Sequence, residues 1–454
     1  MSQMALELVC RQVGGFVKLK PSANDLQSGD PQMKRQPAAL EITLFFTAFV
    51  AVTYGFGIYL FASLVAEMRQ DLGFDYTTVG LVTGIAQVGF LVAALLSGVL
   101  SPVIGAMRLI LGALAMTAVS LLVMWQLSGT PMLGLLLTVM GAGAAAVWVP
   151  MVAVCQQAIP PRHQAKALGL MSSGTSYGVF LNGVIVPPLV AAAGWRSVWL
   201  AVAILSLLLF IAGWLRLRRL RETATESATT ETKHSTPQPH RFRDRLNEVL
   251  QPLGLLLIVT MFLNGFTCMP FQTYLVPLMR EDLGWPVDIS ARVWSLIGGV
   301  GMVGGFALGW LADRISVKWA MLLTYLLLAA AAATILAMSH LLPPIPAMMH
   351  LAGVLFGLAF YAIFGLVPAY VSAVYRGETA TLLFGIGNIA LGLGGLLGNL
   401  AGGYAKSLMG SFTPVYGVIT AAALLLVLLA LVTPNERRRR VKLSGQPAAT
   451  APSC

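Results

Sequence analysis

The sequence predicts an all-α membrane protein, with twelve transmembrane helices arranged as two pseudo-symmetric six-helix bundles. Three observations carry this expectation. Hydrophobic residues make up 57% of the 454 residues and charged residues 10%, against about 25% charged in a soluble globular chain. Twelve apolar runs approach or exceed the roughly twenty residues that cross a bilayer core. One motif also recurs: Met68-Arg69-Gln70-Asp71-Leu72-Gly73 is matched 211 positions later by Met279-Arg280-Glu281-Asp282-Leu283-Gly284, and the same offset carries Gly98 and Leu100 onto Gly309 and Leu311. A duplicated bundle explains one offset holding at both ends of a helix.

In chain order, residues 1–40 form a polar tail without the short apolar core of a signal peptide. Met33, just before Lys34-Arg35, is a second candidate start. The first bundle, 41–215, holds spans over 42–66, 77–100, 108–127, 132–159, 165–193 and 197–215. Residues 216–250, charged and rich in Thr, Ser and Pro, read as a cytoplasmic linker. The second bundle, 251–433, holds spans over 253–279, 290–311, 319–339, 345–374, 380–405 and 413–432, and a basic tail occupies 434–454.

Charge sets the orientation. With both termini and the linker inside, 24 of the 29 Lys and Arg fall on that side, as the positive-inside rule requires. This predicts a multi-pass protein of the plasma (inner) membrane with both termini cytoplasmic. Trp195 and Trp285 then fall at the outer interface. The net charge of +11 is divided among short loops and tails, which excludes a nucleic-acid partner. The four cysteines form no CxxC and no Cys/His cluster. No metal, cofactor or disulfide is expected, Cys155 and Cys268 should pack as small hydrophobes, and the chain should be a monomer. No nucleophile–base set or nucleotide loop suggests an enzyme.

The stretch Gly309-Trp310-Leu311-Ala312-Asp313-Arg314, followed by Lys318, resembles the loop between the second and third helices of each half of major facilitator superfamily transporters. Span count, repeat and central basic linker extend the resemblance over about residues 40–433. The twin loop, Gly98 to Arg108, is degenerate, with Ser101 and Pro102 in place of Asp and Arg. The resemblance implies a cytoplasmic gate formed by Asp313, Arg314 and Gly309, closing on the start of the fifth span near Gln164 to Lys166. A helix N-terminus stabilises a carboxylate by about 0.3–1 kcal/mol. The bland alternative is a solvated loop that obeys the topology rule. Two departures count against the drug antiporters of the family. Leu137 stands where they carry an Arg before Gly141-Ala142-Gly143, and the fifth span has no Gly-Pro pair. Pro187-Pro188-Leu189 followed by Gly194-Trp195-Arg196 is similar to monocarboxylate and oxalate–formate carriers.

No Asp, Glu, Lys or Arg lies in the middle of any span, so neither a proton relay nor a buried counter-ion is evident. His350, the one histidine near a span, is a candidate for proton coupling; otherwise it is an interfacial residue beside Pro343-Pro344. In the family, spans one, four, seven and ten line the cavity. Matching positions offer Tyr54, Trp148, Asn264, Gln272 and Tyr361, with Asn182 and Asn388 from spans five and eleven. Each amide would contact substrate or bond to a neighbouring helix, and the aromatics would recognise substrate or simply pack. Gly301/Gly305/Gly309, Gly394/Gly398/Gly402 and Gly174/Gly178 form stripes for close helix approach. Pro150 and Pro368 should bend spans four and ten.

The expectation is a secondary active transporter moving a small organic solute by alternating access, with an organic monocarboxylate favoured and protons as a coupling ion. A multidrug or metabolite exporter is the alternative within transport. A non-transporting membrane sensor or assembly factor is the alternative from another class. Substrate identity, direction and stoichiometry are not legible.

Overall fold

The computed structural model describes residues 31–159, 161–225, 239–339, 344–375 and 377–437. Every regular element among them is helical. The N-terminal tail before residue 31, linker residues 226–238 and the tail after residue 437 lie outside the described residues.

The first span runs from Pro31–Val50 through a π-helical stretch, Ala51–Tyr59, into Leu60–Leu72. Spans two to four are Tyr76–Ile104, Ala106–Trp125 and Thr130–Ala158. Spans five and six form one run, Pro161–Thr225, broken where Ala193 and Gly194 leave helical geometry, Gly194 at φ 75°. Counted across that break, the apolar helices number twelve. In the second half they are Pro252–Pro277 with a π-helical end Leu278–Asp282, then Val287–Arg314, Val317–Met338, Pro346–Val374, Gly377–Met409 and Thr413–Val432. The linker is more structured than its composition suggests. The sixth span extends to Thr225, and Pro239–Val249 forms a helix seated on the eleventh span. There Thr379 donates to Glu248 (3.0 Å), and Arg245 pairs with Glu378.

Glycine stripes do what their spacing predicts. A Cβ on Gly174 would sit 2.2 Å from the Thr47 carbonyl oxygen, and one on Gly178 2.6 Å from that of Ala51, so the fifth span rides directly on the first. Gly394 and Gly398 likewise press on the Phe262 and Phe266 carbonyls of the seventh span. Small residues gain dispersion contact where bulk would hold backbones apart. Gly309 departs from its stripe, because no atom lies within 4 Å of its Cβ position.

Two seams join the bundles: span two against span eleven, and span five against span eight. Both are tight at one end. Gly80 meets the Asn399 carbonyl, Gly392 meets Leu91, and Gly183 and Gly298 meet Ser295 and Phe180. Gly98 lies one heptad beyond Leu91, Gly169 one beyond Ser176 and Gly385 one beyond Gly392, so each stays near the same helix face. None of the three meets an atom within 4 Å. The bundles therefore close together at the end bearing the turns at 73–75 and 283–286, here the far end. They part towards the linker end.

Candidate functional site

The repeated motif builds the closure at the far end. Its Met is fully buried in both copies, Met68 and Met279. Its Gly terminates the helix in left-handed geometry, at φ 70° for Gly73 and 66° for Gly284, where a side chain would be strained. The Asp anchors within its own bundle. Asp71 pairs with Arg196 (2.5 Å), and Asp282 pairs with Lys406 and accepts from the Phe412 amide (2.7 Å). The Arg reaches across. Arg69 donates twice to Glu281, at 3.0 and 2.9 Å, while Arg280 donates to Glu67 at 3.2 and 3.0 Å. Tyr76 adds a hydroxyl bond to Glu281 (2.5 Å) and an edge contact with the Phe412 ring. The two crossed pairs form a latch between the bundles, with bidentate geometry in the Arg69–Glu281 arm.

Just inside the latch lies a cavity of about 40 Å³. Its polar wall is Tyr59, Thr83, Gln87, Gln272, Thr273 and Asn399, and Leu137 and Met269 stand among its apolar residues. Leu137 and Met269 make that face of the cavity apolar. Gln272 is 3% exposed and both its amide atoms lack a partner; Asn399 is 2% exposed and its Oδ1 lacks one. Gln87 reaches only the Met269 thioether, at 3.7 Å, a weak acceptor. Buried amides left unbonded cost about 1–3 kcal/mol each in a folded chain, so a polar occupant is favoured here.

The other predicted residues separate. Asn182 donates to the Gly55 carbonyl (2.7 Å), inside the π-helical stretch of the first span. Asn264 donates to the Tyr325 hydroxyl (3.3 Å). Both therefore bond between helices of one bundle. Asn264 and Gln272 are about 80° apart around the seventh span, enough to turn one to its neighbour and the other to the cavity. Asn388 bonds back to Phe384 of its own helix. Tyr54 and Trp148 meet edge to face at 6.3 Å between their ring centroids. Tyr361 packs against Gly301, its hydroxyl facing Ser176 of the other bundle. His350 stands in the first turn of the tenth span, with Nδ1 2.8 Å from the Pro346 carbonyl oxygen.

At the linker end, Arg314 lies over the Trp310 ring (4.3 Å) and the Asp313 carbonyl accepts from Arg437 (2.7 Å). Glu436 caps the ninth span, accepting from the amides of Val317 and Lys318. Among the described residues no bond joins Asp313 to the other bundle. The Arg162 and Lys166 side chains lie outside the described residues. Sequence reasoning missed the latch partners as pairs, and it missed Gln87 and Asn399. The repeat held the signal for the latch, since an Arg at the same place in both halves faces an acid from the opposite half.

A family model described as the Major Facilitator Superfamily matches residues 47–341 and 301–453. The chain is 23% identical over 447 residues to a gallate transporter of Pseudomonas putida, covering 92% of this chain and 96% of that one. It is 25% identical to a purine ribonucleoside efflux pump of Salmonella paratyphi B, covering 83% and 90%. Among solved structures, a bacterial homolog of the human lysosomal transporter Spinster superposes with a TM-score of 0.66 at 17% identity, over 92% of this chain and 99% of that one. The nucleoside transporter NupG gives 0.68 at 12% identity, over 86% and 99%. With a family match over most of the chain and a twelve-helix fold shared with solved transporters, this protein belongs to the Major Facilitator Superfamily.

Proposed function

We propose that the protein is a secondary transporter that carries a small organic solute by alternating access, with an organic monocarboxylate as cargo. One observation carries the mechanism: the bundles are latched at the far end, part at the linker end, and hold between them a largely apolar cavity with buried, unbonded amides in its wall. With the linker and termini cytoplasmic, as the charge bias favours, this is the inward-open state of a plasma-membrane protein. The Asp313–Arg314 loop then engages the start of the fifth span when the linker end closes. The similarity to a gallate transporter supports an aromatic acid as cargo, and protons serve as the coupling ion. His350, at the far-end start of the tenth span, is the histidine placed to take part. The protein acts as a monomer.

The efflux reading is favoured by a different observation, the similarity to ribonucleoside efflux pumps together with the uncharged cavity. Counterflow in proteoliposomes tests both. Exchange of labelled gallate, faster at low pH, supports the acid carrier. Exchange of purine ribonucleosides without gallate supports efflux. Binding without exchange of either supports a sensor built on this scaffold.

A further inference from the structure

We infer that the cavity between spans one, two, seven and eleven binds the polar head of its cargo in uncharged form, as a group presenting one hydrogen-bond donor beside one acceptor. This rests on the transporter reading and adds the chemistry of recognition. The site extends beyond the four-helix lining that the family resemblance implies, because spans two and eleven supply Gln87 and Asn399 beside Tyr59, Leu137 and Gln272 of spans one, four and seven.

The chemistry follows from what the wall offers. Gln272 presents an unbonded carbonyl oxygen and an unbonded NH2 from one planar group. Its complement is planar too, with a donor and an acceptor side by side: a protonated carboxyl, a carboxamide or the edge of a heterocycle. The orphaned Oδ1 of Asn399 asks for a further donor; Thr273 supplies a hydroxyl that serves either way, while Thr83, which already donates to the Val79 carbonyl (2.7 Å), can only accept. A cavity of about 40 Å³ has room for roughly three water-sized groups, so it takes a functional group while the body of the solute lies outside it.

An ionised head is disfavoured. Among the described residues no Lys, Arg or His lines the cavity. Spans two and four carry no charge, and the charges on the others sit at their ends: Lys34, Arg35, Glu41, Glu67, Arg69 and Asp71 on the first; Arg280, Glu281 and Asp282 on the seventh; Glu378 and Lys406 on the eleventh. The two latch arginines are already committed to Glu281 and Glu67. An unpaired carboxylate here would lose its hydration without a counter-ion. Tyr59 is the one titratable lining residue, and a phenol ordinarily ionises near pH 10, so no lining side chain changes charge in the range tested below; the nearest titratable groups are the latch carboxylates Glu67 and Glu281, each paired with an arginine.

The test uses the purified full chain and two matched probe pairs, gallamide with gallate and adenosine with adenosine monophosphate, in equilibrium binding between about pH 5.5 and 7.5. At least one neutral member should bind with an affinity that pH does not change. Gallate should weaken about tenfold per pH unit, since the neutral fraction of an acid titrating near pH 4 falls that way. Gln272→Leu should weaken the neutral probe at least tenfold while leaving the unliganded protein as stable or more so, because it removes an unsatisfied buried amide. A structural amide would give the opposite pattern, lower stability with unchanged binding. Gallate binding equally well at both pH values overturns the inference, as does Gln272→Leu without effect on binding, or no binding by either neutral probe. Counterflow of a labelled solute by the same preparation separates the two readings. If exchange persists while these results fail, transport stands and only the neutral-head recognition falls.

Discussion

The latch sets how readily the far end opens, and its strength can be worked from the geometry. The side chains of the Arg69–Glu281 and Arg280–Glu67 pairs retain 14–30% of their exposure. Fully exposed pairs contribute about 0–1 kcal/mol, whereas deleting one partner of a buried pair costs about 3–5 kcal/mol. An intermediate site places each arm near 2 kcal/mol. At about 1.4 kcal/mol per tenfold, Arg280→Ala should shift the ratio of far-end-closed to far-end-open protein roughly 30-fold towards open. Ser63, buried beside Asn182, Ser290 and Trp294 just under the latch, provides the reporter. With Ser63→Cys in a chain otherwise free of cysteine, the labelling rate by a charged maleimide measures far-end opening. Arg280→Ala should accelerate labelling by about that factor. The exchange Glu67→Arg with Arg280→Glu should restore protection to within about threefold, because the pair is reformed with its signs reversed. Unchanged labelling in the single variant would refute the latch. So would an exchanged pair no better protected than either single change.

Three further outcomes follow from local geometry. Gly178→Val places a Cβ 2.6 Å from the Ala51 carbonyl oxygen and the Gly55 Cα; neither can move cheaply, so folded yield on size exclusion should collapse, at a cost of about 3 kcal/mol or more. Asp75 caps the second span by accepting from the Thr78 hydroxyl and amide, and these bonds hold its carboxyl below the usual carboxylate range. Its contribution of about 1 kcal/mol is therefore present above the unfolded pKa of about 3.9 and lost as pH falls through the lower folded value. The thermal midpoint of Asp75→Ala should lie below wild type at pH 7, and the gap should shrink towards zero in acid. Glu436, buried and bonded to the Val317 and Lys318 amides, should cost about 1–3 kcal/mol on change to Ala, with Glu436→Gln retaining much of it in the same melt.

The amides show where the sequence stops being legible. Asn182, Asn264, Gln272 and Asn399 are amides in largely apolar spans, and each needs a partner in lipid. Spacing places an amide on a face of its own helix but does not say which helix stands opposite. Asn182 met a carbonyl that the π-helical stretch of the first span presents, and Asn264 met Tyr325. Gln272 met neither and was left facing a cavity. The difference is a matter of neighbours 127 and 61 residues away, which no local pattern encodes.

What the sequence determined by itself is what depends on local composition and on duplication. Apolar length set the number of spans, basic loops favour an orientation, glycine spacing marked where helices approach, and the 211-residue offset made the bundle twice. The absence of charge at mid-span was also plain before any coordinates. Tertiary structure decided which end is shut and where the cavity lies. Arg69 and Arg280 read alike as loop-edge cations until the bundles meet, and only then does each find the acid of the opposite half. The Asp313 loop was legible as a motif, and in the structure its carbonyl accepts from Arg437. Under the alternating access proposed, one sequence encodes both sets of contacts, and only a folded conformation selects between them.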